Sequence, residues 1–455
     1  MAKIRLFFLS AIFLITPIVY AWLYIPFVPG NLADIVHTVL PNFRWTGFES
    51  VKVFLFILVT ALLLLYSFIE FLFDKTIPKE TPGIYNQLVS TGNLVILLSD
   101  AICYWSKNMR KAFVGGLLIL LIWSVSSIFL NQNTNPYFLT GNLEKTHGLF
   151  FYFALFFLFW LIRSLSTIQQ KYLFKISFIG FWIVILYAFF QRFGLDPLTN
   201  AYNSRLDPWR LFSTLGNPNY LAWYVLLMLP LLRVYHFEGE VSWQEHMWEV
   251  SIWIISWLMI YWTGSYLAWM MFATYVGYTI ISHVLPKTAY RKYLWFVIVL
   301  ALVTFVITIS IEYRDTILEA QKMKWFIARW YLWKTGFSAL TANIGHFLFG
   351  YGPDGFLPVS EHFRHPLLSV YEDPAYRIDR SHNVFLDFWL HFWFLVTILT
   401  LWSLAILFRW LTHEKKVAIC IFAIYFSFNI PVLIHFLIVT QIFASAKNEL
   451  RIKKA

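Results

Sequence analysis

Apolar runs of about 20 residues recur along the whole chain and constrain its fold more than any other feature. A helix needs about that many residues to cross roughly 30 Å of hydrocarbon, so each run predicts a membrane-spanning helix. Of the 455 residues, 59% are hydrophobic and 13% are charged, which leaves too little polar surface for a water-soluble protein. The sequence therefore predicts an all-α, polytopic membrane protein.

The apolar runs predict about 12 transmembrane helices. Pro431 interrupts the last run, which therefore forms either one span or a hairpin of two short helices. The segment 84–105 is long enough to span, but polar side chains interrupt it and both flanks are basic, so we expect an interfacial, non-spanning helix. The predicted spans are 6–26, 51–73, 112–130, 148–162, 174–193, 217–235, 248–263, 265–284, 293–312, 384–408 and 417–445.

Charge placement predicts the orientation and three regions. Residues 1–312 form transmembrane helices, 313–383 one large loop between spans 9 and 10, and 384–455 the last helices with a basic cytoplasmic tail. Basic residues gather in segments that lie inside when the amino terminus is inside, which places the loop outside. The same rule explains the net charge of +11 without nucleic acid. Cys103 and Cys420 are far apart, so neither a disulfide framework nor a thiolate metal site is expected.

The loop 313–383 concentrates the polar residues of the chain. It holds eight Lys or Arg, seven Asp or Glu and four of the 12 histidines. Polar groups are costly at a membrane and usually mark function there, so the catalytic residues are expected in this region.

A second exterior segment carries Arg210 and the turn Gly216-Asn217-Pro218-Asn219. Asn217 is expected to cap the following helix, and Pro218 suits its first turn. A capped helix start with a snorkelling arginine explains these residues structurally. Alternatively, Arg210 near a helix amino terminus forms a site for a phosphate.

Within the loop, aromatic and basic residues alternate between Lys322 and Lys334, including Arg329 and Trp333. This pattern is typical of an amphipathic helix lying in the membrane interface, although one arginine of such a helix can still point inward. Further on, Gly350, Gly352 and Gly355 surround Asp354 in a tight turn that lets backbone approach a ligand.

The loop ends on Asp379-Arg-Ser381-His382-Asn383, where the next span begins. We expect Ser381 or Asp379 to cap that helix and His382 to lie in its first turn, where an extra positive charge is disfavoured. A neutral His382 can act as a general base, although a structural hydrogen bond is an equal alternative. Asp387 is an intramembrane carboxylate that needs a partner. A metal site at Glu361 to His365 is only weakly indicated, and no metal or other cofactor is expected.

Three segments in order resemble the O-antigen ligase / O-antigen polymerase superfamily of membrane glycosyltransferases. They are Arg210 through Ala222, Arg329-Trp-Tyr-Leu-Trp through Phe356, and Ser381-His-Asn-Val-Phe-Leu-Asp387. The similarity covers roughly 110–410. The chain has Thr263-Gly-Ser-Tyr where the family often has Thr-Gly-Ser-Arg-Gly, so no role is carried over to that position.

The resemblance implies metal-independent, inverting transfer of a glycan from a polyprenyl (undecaprenyl) diphosphate carrier to a hydroxyl on a lipid or protein. The site would face outward from the bacterial inner membrane. Arg210 and Arg329 would hold the diphosphate, and His382 would activate the acceptor. The other expected substrate-binding residues are Asn217, Asn219, Trp333, Lys334, Gly350, Gly352, Asp354, Asn383 and Asp387.

Three functions remain open at this point. The first is a glycan ligase, and the second is a polymerase that joins carrier-linked repeat units. The third is a non-catalytic transporter of lipid-linked glycans, which is expected to show two related halves and broken helices near the midplane. No internal repeat is visible, and the polar residues gather at one face, so a transporter is the least favoured. The expected partners are the carrier-linked glycan, its acceptor and membrane lipids, and not nucleic acid.

Overall fold

The computed structural model describes residues 2–18, 50–73, 107–130, 137–141, 147–195, 210–236, 243–284, 321–372, 377–427, 429 and 431–446. The interfacial segment predicted at 84–105 and the span predicted at 293–312 lie outside the described residues.

The described residues form 16 α-helices and two 3-10 helices, with no strand among them, which confirms the all-α prediction. In chain order the α-helices are α1 (Ala2–Ile15), α2 (Ser50–Phe73), α3 (Lys107–Leu130), α4 (Leu149–Ser164), α5 (Thr167–Arg192), α6 (Pro218–His236), α7 (Trp243–Thr263), α8 (Tyr266–Val284), α9 (Gln321–Thr341), α10 (Ile344–Phe349), α11 (Phe356–Val359), α12 (Leu368–Tyr371), α13 (Val384–His391), α14 (Phe394–Arg409), α15 (His413–Phe426) and α16 (Leu433–Ala444). The 3-10 helices are Ser213–Leu215 and Ser360–Phe363.

Helices occupy the predicted spans wherever those spans are described. One of them, α5, is both long and apolar enough to cross a membrane by length and composition. Its 26 residues extend for about 39 Å, and it starts at a capping box formed by Ser166 and Gln169. The number of 12 spans stays a prediction.

Helix α6 lies at the centre of the bundle. Residues from Leu221 to Leu232 are apolar on every side, and those in the core have at most 2% of their surface exposed. A helix that is hydrophobic all round is stable only when neighbours cover it. Helices α5, α7, α8 and α15 pack against α6.

The run predicted as one span at 384–408 is divided into two helices, and its crossing of the membrane stays a prediction. Helix α13 ends at His391 and α14 begins at Phe394, because Phe392 takes an extended conformation with ψ 161°. The break lets the Phe392 ring stack on Trp123 of α3, with ring centroids 4.4 Å apart. The packing of this aromatic pair offsets the backbone hydrogen bonds that an unbroken helix would form.

Of the two alternatives for the last run, the structure has the hairpin. Helices α15 and α16 lie on either side of Pro431, and the Lys415 Nζ donates to the Ser445 Oγ at 2.9 Å. Lys415 is in the first turn of α15 and Ser445 follows the end of α16, so the two helices run antiparallel.

The described part of the large loop has a hydrophobic core of its own, built on α9. Helices α10, α12 and α13 and the second 3-10 helix all pack against α9. The buried residues of this core are Ala328, Leu332, Ala339, Leu340, Tyr351, Phe356, Leu368, Ile378 and Leu390. Because Leu390 belongs to α13, the loop is anchored directly on the segment that carries the predicted catalytic histidine.

Candidate active site

Arg329 lies on the packed side of α9. Its neighbour Ala328 is fully buried, and its own side chain is 11% exposed, with Nη1 lying 3.5 Å from the Oε1 of Glu372. The carboxylate partner holds the guanidinium over the loop core. The amphipathic helix predicted from Lys322 to Lys334 is therefore a folded part of the loop.

At Gly336, helix α9 contacts the segment that carries His382. A Cβ built on Gly336 would lie 3.2 Å from the Ser381 Cβ and 3.1 Å from the Leu386 Cδ2. A side chain at this position would require Ser381 and Leu386 to shift by a few tenths of an ångström, so glycine favours the close approach. Arg329 and Gly336 are seven residues apart and share a face of α9, so Arg329 is about 10 Å along the helix from this contact.

His382 precedes α13 and is not in its first turn, so the predicted cap was wrong. The cap is Asn383, whose Oδ1 accepts hydrogen bonds from the backbone N–H of Phe385 at 3.0 Å and Leu386 at 3.1 Å. Asn383 has the extended φ of −140° that a capping residue needs, whereas His382 has a left-handed φ of 58°. The amide of Asn383 thus serves the helix.

The Asp387 carboxylate has the partner that the sequence required. Both the backbone N–H and the Oγ of Ser381 donate to the Asp387 Oδ1, at 2.7 and 2.8 Å. Together with the Asn383 cap, this fixes the residues on both sides of His382. Histidine enters the left-handed region more readily than most residues, but it still needs such support.

A buried polar cluster, which we call the Arg380 cluster, consists of Tyr152, Asp354, Arg380 and His391. The Nη2 of Arg380 forms an ion pair with the Oδ1 of Asp354, with side-chain exposures of 2% and 0%. Its Nη1 lies 2.5 Å from the Nε2 and 3.1 Å from the Nδ1 of His391, and the Tyr152 hydroxyl is 2.9 Å from the Nδ1. Burial opposes the charge of Arg380, but Asp354 together with Tyr152, Asp387 and Asp379 outweighs it and raises the pKa of Arg380 above its ordinary value.

Sequence analysis missed three members of this cluster. Arg380 stands in the polar run two residues before His382, which was the available signal. His391 and Tyr152 lie within runs predicted as spans, where a single polar residue of an aromatic type is usually structural. Only the packing of α4 against the end of α13 reveals them.

The glycine-rich turn was expected to approach a ligand, but in the structure it packs against the backbone at the end of α13. Gly350 has a φ of 62°, and a Cβ there would come within 2.9 Å of the carbonyl oxygens of Trp389, Leu390 and Phe392. The N–H of Tyr351 donates to the Leu390 oxygen at 2.7 Å. The turn, which continues through Gly352, therefore holds Asp354 beside the end of α13.

Arg210 lies in a second cluster at the start of α6. Its Nε donates to the Thr263 carbonyl at 2.8 Å, and its side chain packs against Gly264. The Asn217 Oδ1 accepts from the N–H of Asn219 at 2.8 Å, and α6 starts at Pro218, which confirms the predicted cap.

The turn that follows Arg210 is held from several sides. Ser213 has a left-handed φ of 51°, and its Oγ donates to the Val184 carbonyl at 2.7 Å. The Gln191 Oε1 accepts from the N–H groups of Phe212 and Ser213. The buried Lys52 of α2 donates its Nζ to the Thr214 carbonyl at 3.0 Å.

Left-handed non-glycine residues mark all three sequence motifs. Among the described residues these are Ser213, Asp354 and His382, one in each motif. Such conformations are unfavourable, and they persist where the surrounding structure imposes them, often at functional sites. The backbone thus singles out the same three segments as the sequence.

Two predicted substrate-binding residues lie on the outer part of α9. The Lys334 Nζ is 5.6 Å from the centre of the Trp330 ring and 5.5 Å from that of Tyr331. Trp333 packs edge-to-face with the half-exposed Trp330. The Tyr331 ring stacks on His365, one of the two histidines in the segment Glu361 to His365 that weakly indicated a metal site.

The structure brings Arg329 and His382 onto two elements in direct contact, α9 and the segment before α13. The Arg210 cluster is joined to them through α16 and α4: the Tyr220 and His435 rings lie 6.3 Å apart, and Phe436 packs on Phe151 at 5.4 Å. Convergence of all three side chains on one substrate stays a prediction.

Comparison with known families agrees with the resemblance noted in the sequence. Residues 250–401 match the family described as O-antigen ligase (Wzy_C). The match covers about a third of the chain and includes Arg329, the Arg380 segment and His382, while Arg210 lies before it. No curated protein and no solved structure matches the chain.

Proposed function

We propose, from the O-antigen ligase match over 250–401, that this chain is an integral-membrane glycosyltransferase of the O-antigen ligase/polymerase superfamily. In this proposal it transfers a glycan from a polyprenyl-diphosphate carrier to a hydroxyl group on a lipid or protein. The observation that carries the proposal is that Arg329 and His382 both lie within the matched segment and stand on elements in direct contact at Gly336.

In the proposed reaction His382 is the general base. It takes the proton of the acceptor hydroxyl while that oxygen attacks the anomeric carbon of the carrier-linked sugar. The bond from the anomeric carbon to the diphosphate oxygen breaks, and the diphosphate leaves with the bonding electrons. Attack opposite the leaving group inverts the anomeric centre, and the proton stays on His382.

Arg329 and Arg210 stabilise the leaving group. Negative charge grows on the diphosphate as the sugar departs, and fixed guanidinium groups lower the barrier by neutralising it. Both residues are already held, Arg329 by Glu372 and Arg210 by the Thr263 carbonyl, so little reorganisation is needed when the carrier binds.

The remaining predicted site residues fall into two groups in this proposal. Asn219, Trp333 and Lys334 contact substrate, and the indole ring of Trp333 stacks on a sugar. The second group holds the catalytic segments in place, because its members already have internal partners. That group comprises Asn217, Gly350, Gly352, Asp354, Asn383 and Asp387.

The proposed topology places the site on the outer face of the cytoplasmic membrane. Contacts between distant segments support the predicted alternation of the spans, because each joins residues that the topology puts on one face; the charge bias supports which face lies outside. On the outer face Arg210 meets Thr263 and Lys52 meets Thr214. On the inner face Arg163 approaches the Ala444 carbonyl.

The test is deletion of the gene followed by analysis of surface and carrier-linked glycans. A ligase is expected to leave long chains on the carrier and unattached to their acceptor, and a polymerase to leave single repeat units. Complementation with His382→Ala, at matched expression, should not restore the wild-type surface glycans. Wild-type glycans in the deletion strain, or full complementation by His382→Ala, would contradict the proposal.

A further inference from the structure

We infer that Arg380 is a positioning residue for the reaction, acting on His382 through the backbone and not on the substrate. This inference rests on the proposed function, because it presumes that His382 is the base. It is argued from a different observation than the proposed function, namely that the Arg380 cluster links the loop, α13 and α4 next to the strained His382.

The contacts of Arg380 exclude a direct role on the carrier. Its side chain is 2% exposed, and its two terminal nitrogens are engaged by Asp354 and His391. A guanidinium buried in this way does not face a diphosphate. Since a guanidinium can only donate hydrogen bonds, it also requires His391 to accept with a ring nitrogen.

Burial of this ion pair argues for a positioning role. Removing two charges from water is costly, and apolar residues of similar size often stabilise a fold as well or better. What the charged cluster adds is direction, because the planar fork of Arg380 meets an acceptor on each side. It joins the glycine-rich turn that carries Asp354 to the end of α13, and through Tyr152 to α4.

The position of Arg380 in the chain explains how this fixes His382. The two residues are two positions apart, with only Ser381 between them, so their Cα atoms are at most about 7 Å from each other. On the other side of His382, the Asn383 cap ties the chain to α13. Between these anchors His382 keeps a left-handed φ of 58°, which a free loop would abandon. Without Arg380, the segment can relax and carry the imidazole away from the acceptor.

The experiment uses the purified full chain in vesicles with carrier-linked glycan and measures kcat and KM for Arg380→Ala and Arg380→Lys. A small displacement of a catalytic group costs up to about a hundredfold in rate, so we expect kcat to fall by about tenfold to a hundredfold. KM for the carrier should stay within about twofold, since Arg380 makes no contact with the carrier in this proposal and its loss leaves ground-state binding unchanged. Lysine should not rescue kcat because it lacks the fork. Arg364→Ala, which removes a partly exposed ion pair of the same loop, is the matched control.

A double variant, Arg380→Gln with Asp354→Asn, removes both buried charges together and guards against simple misfolding. It should show the same loss of kcat, because glutamine is too short to reach both partners. Its thermal midpoint should stay close to wild type, because no unpaired charge is left buried. Adding Arg380→Ala to His382→Ala tests the route of action: the second change should lower the residual rate by less than about twofold if Arg380 acts through His382.

The results separate the inference from the proposed function. Wild-type kcat in the Arg380 variants, with loss of activity in His382→Ala, would overturn the inference alone. A rise in carrier KM without a fall in kcat would also overturn it, because Arg380 would then be a binding residue. Full activity of His382→Ala would overturn the proposed function.

Discussion

The hydroxyl of Tyr152 lies 2.9 Å from the Nδ1 of His391 and joins α4 to the last residue of α13. The two residues are 239 positions apart in the chain. This contact connects the bundle to the Arg380 cluster, and through it to the segment of the proposed base. A polar bond at this place therefore couples the fold of the membrane helices to the geometry of the site.

Tyr152→Phe removes that hydroxyl and leaves the aromatic packing unchanged. Loss of one buried hydrogen bond should lower the free energy of unfolding by about 1 kcal/mol and reduce transfer activity several-fold. Thermal unfolding in detergent and a vesicle transfer assay measure the two effects. The exposed Tyr172→Phe on α5 should change neither. Unchanged stability and activity in both variants would show that the Tyr152–His391 contact is unimportant.

Gly336→Ala should impair activity more than stability. The new methyl group would press on Ser381 and Leu386 at 3.1 to 3.2 Å and displace α9 from the His382 segment. Alanine also favours the helix over glycine by about 1 kcal/mol, which offsets part of the clash. We expect transfer activity to fall by about tenfold, given the cost of misplacing catalytic groups.

Gly277→Ala on α8 is the control for this change, because a Cβ there meets nothing within 4 Å. It should keep full activity with equal or higher stability. Equal activity in both alanine variants would contradict a close functional contact at Gly336.

Asn383→Ala removes the cap of α13 and should lower the free energy of unfolding by about 1 kcal/mol. Because His382 is the adjacent residue, transfer activity should fall with it, and Asn383→Ser should restore most of both. The cap of α10 gives a comparison, since the Asn343 side chain accepts from the His346 N–H at 2.8 Å on a helix that does not adjoin His382 in the chain. Asn343→Ala is expected to cost stability alone. Retained activity in Asn383→Ala would separate the cap from the site.

Arg329→Lys should weaken use of the carrier. A lysine ammonium is a point charge and lacks the planar fork that meets two phosphate oxygens, so kcat/KM should fall by about tenfold or more. Glu372→Gln keeps the arginine and removes only its resting partner, and it should have a smaller effect. Initial rates at varied carrier concentration measure both. Unchanged kinetics in Arg329→Lys would reject its role at the diphosphate.

Cysteine labelling tests the orientation. In a chain without native cysteines, a cysteine replacing the exposed Val370 of the loop should react with an impermeant reagent in intact cells. A cysteine replacing the exposed Ile168, in the first turn of α5, should react only after lysis. The opposite pattern would invert the predicted topology and place the site inside.

The sequence by itself determined the helical class, the approximate positions of the described helices outside the loop and the three motifs. Apolar run length and charge bias are local properties, and they act before any tertiary contact forms. Asn217 as a cap and Pro431 as a break were also predictable, because a polar side chain at a helix start and a missing N–H act on their own neighbours.

Tertiary structure decided what lies between those elements. The break at Phe392 and the Arg380 cluster both include contacts with residues more than 200 positions away in the chain. No local pattern distinguishes Tyr152 or His391 from other polar residues in an apolar run. Their role follows from burial, since a polar group removed from water must find its partner wherever the fold places one.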